Sequence, residues 1–369
     1  MNRRFLPPLI LFLATVGTAP AIGQLRDLIF KALPGAGPKF VLAVLGLIGA
    51  LAMLWAVLQI REQRLWRYGG LALAAFLVWL QGVGFSADAA SSAVEKVHIL
   101  QYGLLALLLF RALVPEDGVL HPGLVLTILS TVTLCGIADE TVQWFAPRRT
   151  GDIRDVGINA LAGLTGLVFA LSVLAPRRWS WRWSRHFTER RLAPVLALTV
   201  LAIGLFFAMA HLGYEIVDPE IGTFRSRYTA EELLLLSAER RQSWALNPPE
   251  GLPIWGIEDT FLTEAGWHMR HRNVSKRERW LPDFWAANRI LEKYFAPYLD
   301  LGNFRGAGRQ RLAPAARLRA QDTGHDPETY YSPAMKNRLY PWPKGPYFAV
   351  LFFLVAAVLL LPRFWRSKE

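Results

Sequence analysis

The segment LVLTILSTVTLCGIADETVQWFAPRRTGDIRDVGINALAGLTGLVFALSVL (residues 124–174) decides the fold of this chain. It contains two apolar runs, each close to the ~20 residues that a helix needs to cross a bilayer. Between them lies the polar stretch DETVQWFAPRRTGDIRD (139–155), which carries four acidic side chains and three arginines. Charge beside hydrocarbon is costly, so we expect two membrane-spanning helices joined by a charged connection.

Similar apolar runs occur on both sides of this segment. Of the 369 residues, 53% are hydrophobic, which is a larger share than soluble domains usually have. We therefore predict an all-α polytopic membrane protein with about eight transmembrane helices and a mainly helical extracytoplasmic insertion. The predicted spans are roughly 5–22, 40–60, 69–85, 97–113, 119–138, 156–175, 193–211 and 346–362.

The net charge of +12 has a simple explanation in a membrane protein. Lys and Arg collect in cytoplasmic connections, so a basic chain of this class does not call for nucleic acid as a partner. Four basic segments fall on one side of the membrane if the eight spans are real: 3–4, 61–67, 176–191 and 363–369. We therefore expect both termini in the cytoplasm, and 139–155 and 212–345 on the opposite side of the membrane.

This topology divides the chain into five parts. They are an N-terminal transmembrane hairpin (1–66), a four-helix membrane core (67–176), a basic cytoplasmic loop with the seventh span (177–211), an extracytoplasmic region (212–345), and a C-terminal span with a basic tail (346–369). The start, MNRRFLPPLILFLATVGTAPAIG, also has the features of a signal peptide, but we favour an uncleaved anchor. The single cysteine, Cys135, excludes an intrachain disulfide.

The extracytoplasmic region is predicted to contain three helices, over 229–244, 258–271 and 284–299. Thr229 and Glu232 have the spacing of a capping box at the start of the first. The stretch 306–324 is rich in Gly, Pro, Ala and Arg and is expected to be a linker. Basic and acidic residues nearly balance in this region, so we expect it to contact the lipid headgroup or a protein partner, not nucleic acid.

One spacing in the extracytoplasmic region suggests zinc. Glu264, His268 and His271 are at i, i+4 and i+7 of a predicted helix, an arrangement that can place three ligands on one face. Two histidines and one carboxylate are more often ordinary residues on the solvated surface of a helix. We therefore predict no metal site, and no cofactor is identified.

The predicted spans four to six carry most of the intramembrane polarity. Polar side chains recur on single helix faces near the outer end of each span, where they are expected to form one outward-facing pocket. The candidates are Glu95, Lys96, His98 and Tyr102 before and within span four; Asp139, Glu140 and Gln143 at the end of span five; Arg148 and Arg149 in the connection; and Asp152, Asp155 and Asn159 at the start of span six. A purely structural reading remains open, because acidic residues at a helix start and ion pairs in the loop are stabilising by themselves.

In order and spacing these residues resemble the VanZ family. The family pattern has an acidic-Lys-x-x-His-x-x-x-Tyr element, then Asp-Glu-x-x-Gln with Pro and Arg, then Asp-x-x-x-Asn-x-x-x-Gly. The matching positions here are Glu95, Lys96, His98, Tyr102, Asp139, Glu140, Gln143, Pro147, Arg149, Asp155, Asn159 and Gly163. The resemblance covers about residues 69–175, and Arg148 stands where many members have Gly.

The resemblance implies a bacterial multipass protein of the cell envelope. The family is named for a teicoplanin-resistance phenotype, and its biochemical activity is not established, so antibiotic resistance is an association by resemblance only. Three functions remain open. The first is binding or transport of an anionic lipid-linked envelope component, with arginine forks holding its phosphate. The second is a hydrolase or transferase in which His98 and Glu95, or a hard cation on acidic oxygens, act on such a substrate. The third is a structural scaffold without a ligand.

Overall fold

The computed structural model describes most of the chain. The described ranges are 3–84, 89–114, 119–145, 151–176, 188–249, 259–301, 310–313 and 324–364, without the side chains of 19–27, 83–84, 89–95, 189, 361 and 363–364. The chain folds into two compact units. The first comprises Met1–Gln143, Gly151–Phe206 and Ala349–Glu369, and the second comprises Trp144–Thr150 and Phe207–Phe348.

Long helices occur at each of the eight predicted span positions. They are α1 (Leu6–Ala32), α2 (Gly37–Gln59), α3 (Arg64–Gly84), α4 (Ala89–Leu113), α5 (Pro122–Phe145), α6 (Ile153–Leu174), α7 (Ala193–His211) and, near the end of the chain, α12 (Lys344–Phe364). Among the described residues, five helical stretches are long and apolar enough to cross a membrane: Gly37–Gln59, Lys96–Leu113, Pro122–Phe145, Ile153–Leu174 and Arg190–His211. The chain is therefore a helical membrane protein, and the count of eight spans stays a prediction.

The exposed faces of these helices are apolar, as expected for helices that are surrounded by lipid. On α2, Leu47, Leu51 and Leu58 are each more than half exposed. A band of large apolar side chains on a helix would be costly in water, whereas in hydrocarbon it costs nothing. Exposure of α2 is therefore a sign of membrane insertion and not of poor packing.

Small residues let the helices of the first unit pack closely. A Cβ added at Gly166 of α6 would collide with the backbone of Gly103 on α4, and one added at Gly163 would collide with the side chain of Val132 on α5. Because lipid tails are as apolar as leucine, membrane helices gain most from close backbone approach of this kind. The contacts bring α4, α5 and α6 into one bundle around buried residues such as Tyr102 and Ile128.

An arginine closes the C-terminal end of α6. The guanidinium of Arg67, at the start of α3, donates hydrogen bonds to the carbonyl oxygens of Ser172, Val173 and Ala175 at 3.2, 2.9 and 2.8 Å. These carbonyls belong to the last turn, where a helix has no N–H groups of its own to satisfy them. The positive charge also complements the negative end of the helix dipole.

The second unit contains a β-hairpin, so the prediction of an all-α chain was wrong there. Strands β1 (Tyr214–Asp218) and β2 (Gly222–Ser226) pair antiparallel, and Gly222 has a φ of +108°, which a side chain would strain. The buried Asp218 at the end of β1 accepts backbone N–H groups of Glu220 and Ile221, which forms the turn. The strands are only five residues long, and this inward-facing carboxylate masks their alternation of apolar and polar residues.

Helices complete the second unit. They are α8 (Ala230–Leu246), α9 (Thr260–Glu278), α10 (Leu281–Tyr294) and α11 (Ala296–Asp300), and the predicted capping box of Thr229 and Glu232 is confirmed. The helix predicted over 284–299 is interrupted, because Pro297 lacks an N–H and cannot continue α10. The core is formed by Phe224, Phe261, Ile290, Phe295 and their neighbours. Most of the predicted linker 306–324 lies outside the described residues.

Candidate functional site

A buried polar cluster lies between α4, α5 and α6 of the first unit. The hydroxyl of Tyr102 donates a hydrogen bond to Oδ2 of Asp139 at 2.7 Å, and both residues are only 1% exposed. The ring of His98, one turn before Tyr102 on α4, stacks over the tyrosine ring with centroids 6.0 Å apart. The cluster thus joins the predicted polar faces of spans four and five.

Asn159 extends the cluster to α6. A Cβ added at Gly136 of α5 would lie 3.0 Å from the Asn159 Cβ, so the asparagine packs against the point where α5 has no side chain. Gly136 precedes Asp139 and Glu140 by three and four residues, which places the asparagine one helical turn from both acids. Asn159 is 1% exposed, Glu140 3% and Gln143 7%.

Several polar atoms of this cluster are buried without hydrogen bonds. Within the described ranges, Oδ1 of Asp139 and both polar atoms of the Asn159 amide make none. A buried polar atom of this kind costs about 1–3 kcal/mol when nothing compensates it. Native proteins contain few such groups, and each calls for a specific explanation.

The remaining predicted residues have varied positions. Asp152 is the N-cap of α6, and its side chain accepts the backbone N–H of Arg154 at 2.9 Å. Asp155 lies 3.7 Å from the guanidinium of Arg154, and the carboxylate is 37% exposed. Both aspartates lie at the start of α6, where a negative charge is favourable. The side chain of Glu95 and all of Arg148 and Arg149 lie outside the described residues, so their place in the pocket stays a prediction.

Gln81 is a buried polar residue that the sequence reading overlooked. Its amide nitrogen donates to the Thr165 hydroxyl at 2.9 Å and to the Leu77 carbonyl at 3.0 Å, which ties α3 to α6. The residue is 5% exposed. A glutamine near the C-terminal end of the apolar run was the available signal, since a polar amide in a span is usually buried in the protein.

The second unit buries ionisable groups that were expected at the surface of a helix. Glu264 is 1% exposed and accepts hydrogen bonds from the Ser226 hydroxyl at 2.6 Å and the Arg227 backbone N–H at 2.9 Å. His268 is fully buried, with its ring 5.7 Å from that of Phe224 and 5.5 Å from that of Phe295. The surface interpretation was therefore wrong for both residues, because this face of α9 packs into the core.

Burial shifts the titration of both groups. Desolvation raises the pKa of Glu264 to about 7, against the opposing effect of its hydrogen bonds and of the Arg227 charge. Desolvation, followed by the charge of His271, lowers the pKa of His268 to about 3. In the part of the chain that the structure describes, no three His, Cys, Asp or Glu side chains gather in a group suited to a metal ion.

Comparison with known proteins identifies the membrane core. Residues 39–175 match the model of the VanZ/LLP1 family, which confirms the VanZ-like assignment. The match begins at residue 39, so it also includes α2, which the sequence resemblance had left out. No curated protein and no solved structure matches the chain. The family match and the apolar helices together identify a multipass membrane protein with a VanZ-like region.

Proposed function

We propose that this VanZ-like membrane protein binds an anionic lipid-linked component of the cell envelope, with the headgroup held at the polar cluster of Tyr102, Asp139 and Asn159. One observation carries the proposal: the Asn159 amide and Oδ1 of Asp139 are buried, yet among the described residues no hydrogen-bond partner satisfies them. A scaffold needs no such atoms, since apolar residues of similar shape would hold the helices together at lower cost.

The unsatisfied atoms indicate the chemistry of the headgroup. The Asn159 amide offers two N–H donors and a carbonyl acceptor, and Oδ1 of Asp139 offers a further acceptor. A sugar or another hydroxyl-bearing group can use both kinds of partner. The phosphate of such a ligand would require cations, which Lys96, Arg148 and Arg149 supply in the sequence.

We also propose the topology that places this cluster at the outer leaflet. It has eight spans, cytoplasmic termini and an extracytoplasmic region 212–345 in the bacterial inner membrane. The distribution of basic connections supports it. A reporter enzyme that is active only outside the cytoplasm, fused after residue 250, should be active, whereas a fusion after residue 180 should be silent. The opposite pattern in well-expressed fusions would reverse the orientation and place the cluster at the inner leaflet.

The function is tested by identifying the lipids that the purified protein retains. Native mass spectrometry of the wild type, extracted with its own lipids, should show a specific anionic lipid. Asp139→Asn keeps an oxygen acceptor for the Tyr102 hydroxyl and removes only the charge, while Asn159→Leu removes the unsatisfied amide. Both variants should lose the lipid and remain folded, and Asn159→Leu should melt at or above the wild-type temperature because a buried unsatisfied group has gone.

Thr133→Val is the matched control. Thr133 is a buried polar residue of α5 whose hydroxyl donates within its own helix to the Leu129 carbonyl at 2.9 Å. This variant should keep the lipid. The proposal fails if wild type and the two cluster variants retain the same lipids, which would favour the scaffold. Conversion of the lipid by wild type, and not by Asp139→Asn, would instead indicate an enzyme.

A further inference from the structure

An apolar cleft runs between α2, α3, α4 and α6 of the first unit. Its volume is about 580 Å³. The walls are formed by aliphatic and aromatic side chains, among them Leu42, Leu45, Val78, Leu104 and Phe169. Of the described residues that line it, Lys96 is the only one with a charge.

The cleft has the depth of one membrane leaflet. It extends along α4 from Lys96 to Leu107. Eleven residues of helix rise roughly 16 Å, and half of a hydrocarbon core that is ~30 Å thick is roughly 15 Å. The length of the cleft along α4 therefore matches the thickness of one leaflet, and Lys96 lies at one end of it.

Glycines keep this slot open. A Cβ at Gly46 or Gly49 of α2 would meet no atom within 4 Å, although both residues line the cleft. At the floor, Gly103 and Gly166 also lack side chains, so the backbones of α4 and α6 form the surface there. The aliphatic part of the Lys96 side chain lies close to the end of α3. A Cβ added at Gly82 would lie 3.9 Å from the Cε of Lys96.

The apolar lining and its single charge select the occupant. A hydrocarbon chain needs no hydrogen-bond partner along its length. A cation at the headgroup level of an apolar slot complements a lipid that carries phosphate.

We propose that the cleft holds the acyl chain of an anionic phospholipid-type ligand, whose phosphate contacts Lys96. The proposal rests on the proposed function, because it assigns the hydrocarbon part of the same class of ligand whose headgroup the polar cluster holds. It adds that recognition needs a chain inserted between α2 and α4, so a water-soluble headgroup alone is a poor ligand.

The test uses a photoreactive lipid. The full-length protein is reconstituted in phosphatidylcholine nanodiscs that contain a small fraction of phosphatidylglycerol with a diazirine in its acyl chain. After irradiation, cross-linked peptides should come from the cleft faces of α2, α3 and α4. Unlabelled phosphatidylglycerol should compete for the site about tenfold better than unlabelled phosphatidylcholine, since only the former offers net negative charge to Lys96.

Two matched sets of variants test the acyl-chain site and the charge of Lys96 separately. Gly46→Leu/Gly49→Leu adds side chains to the cleft at positions where a Cβ meets no atom within 4 Å, and should abolish the cross-links. Gly69→Leu, a change to the same residue at an open position of α3 outside the cleft, should keep them. Lys96→Gln should remove the preference for the anionic lipid and Lys96→Arg should retain it. Lys39→Gln, an equal loss of charge at the exposed start of α2, should leave the preference unchanged.

The outcomes separate this inference from the proposed function. If filling the slot leaves both the cross-links and the native lipid of the wild type unchanged, the acyl-chain site is wrong, even when Asn159→Leu still loses the lipid. If filling the slot removes the lipid and Asn159→Leu does not, the cleft is supported and the polar cluster is not the headgroup site. Uniform labelling of all outer helix faces would mean ordinary contact with bulk lipid and would overturn the inference.

Discussion

Gly166→Ala should destabilise the membrane core by about 3 kcal/mol, which is at the upper end of the cost of overpacking. The reason is that the added methyl group meets backbone and not a flexible side chain. A Cβ at this position would overlap the Gly103 carbonyl and Cα on α4. Neither helix can yield without separating, and separation would also loosen the contacts that surround Tyr102 and Asp139.

A second glycine of the same helix provides the control. A Cβ at Gly157 of α6 meets no atom within 4 Å. Gly157→Ala should therefore be neutral or stabilise the helix by up to ~1 kcal/mol, because alanine has the higher helix propensity. Thermal unfolding of purified protein in detergent, followed by circular dichroism, measures both. Equal melting temperatures for Gly166→Ala and Gly157→Ala would show that the close approach of α4 and α6 does not determine stability.

The second large effect is a pair of opposed pH dependences in the second unit. The pKa of Glu264 is raised from 4.5 to about 7 on folding, so its favourable contribution is complete below pH 4.5 and is lost as the pH rises towards 7. The pKa of His268 is lowered from 6.5 to about 3, so its contribution is complete above pH 6.5 and is lost as the pH falls towards 3. Each group alone gives a slope of about 1.4 kcal/mol per pH unit.

Between pH 4.5 and 6.5 the two slopes have opposite signs and nearly cancel. Single variants should therefore show a pH dependence of stability that the wild type does not show. With His268→Leu, stability should fall as the pH rises from 4.5 to 7, because only the glutamate effect remains. With Glu264→Gln, stability should instead rise with pH from 3 to 6.5. Differences between each variant and the wild type remove the contributions of other titrating groups.

Urea titrations of the full-length protein in detergent at several pH values measure these slopes. Tryptophan fluorescence follows unfolding, and hydrogen exchange of α9 and α10 verifies that the transition belongs to the second unit. Glu231→Gln, a change at an exposed glutamate of α8, is the control and should keep the wild-type profile. If both core variants also keep the wild-type profile, burial does not perturb Glu264 and His268 as their environment indicates.

The membrane helices could be predicted because their signal is strong and local. A run of apolar residues identifies a span regardless of what packs beside it. The position of Asn159 was also predictable as a polar residue on the face of Asp155. The lack of hydrogen bonds at its amide could not be predicted. It depends on the packing of Asn159 against Gly136 of a different helix and on the absence of partners among the described residues.

The second unit was less predictable from the sequence because its core contains ionisable side chains. Glu264 and His268 have the composition of a surface face, and contacts with residues distant in the chain, such as Ser226 and Phe295, make them interior. Asp218 makes the hairpin hard to recognise, because an aspartate in the sequence usually indicates an exposed loop. Here its carboxylate is buried, and it accepts a hydrogen bond from Tyr294 at 2.7 Å and forms an ion pair with Lys293 at 2.7 Å. Tertiary partners of this kind leave no mark on the local sequence.

The contacts of Arg67 have a consequence for the order of events during synthesis. Its carbonyl partners follow it by 105, 106 and 108 residues in the chain. At ~5–20 residues per second, the ribosome needs roughly 5–20 s to deliver them. Throughout that interval the guanidinium has to stay hydrated, which holds the start of α3 at the water boundary while α4, α5 and α6 insert. The same arginine would then first anchor the nascent chain at the water boundary and later join α3 to the end of α6 through its hydrogen bonds.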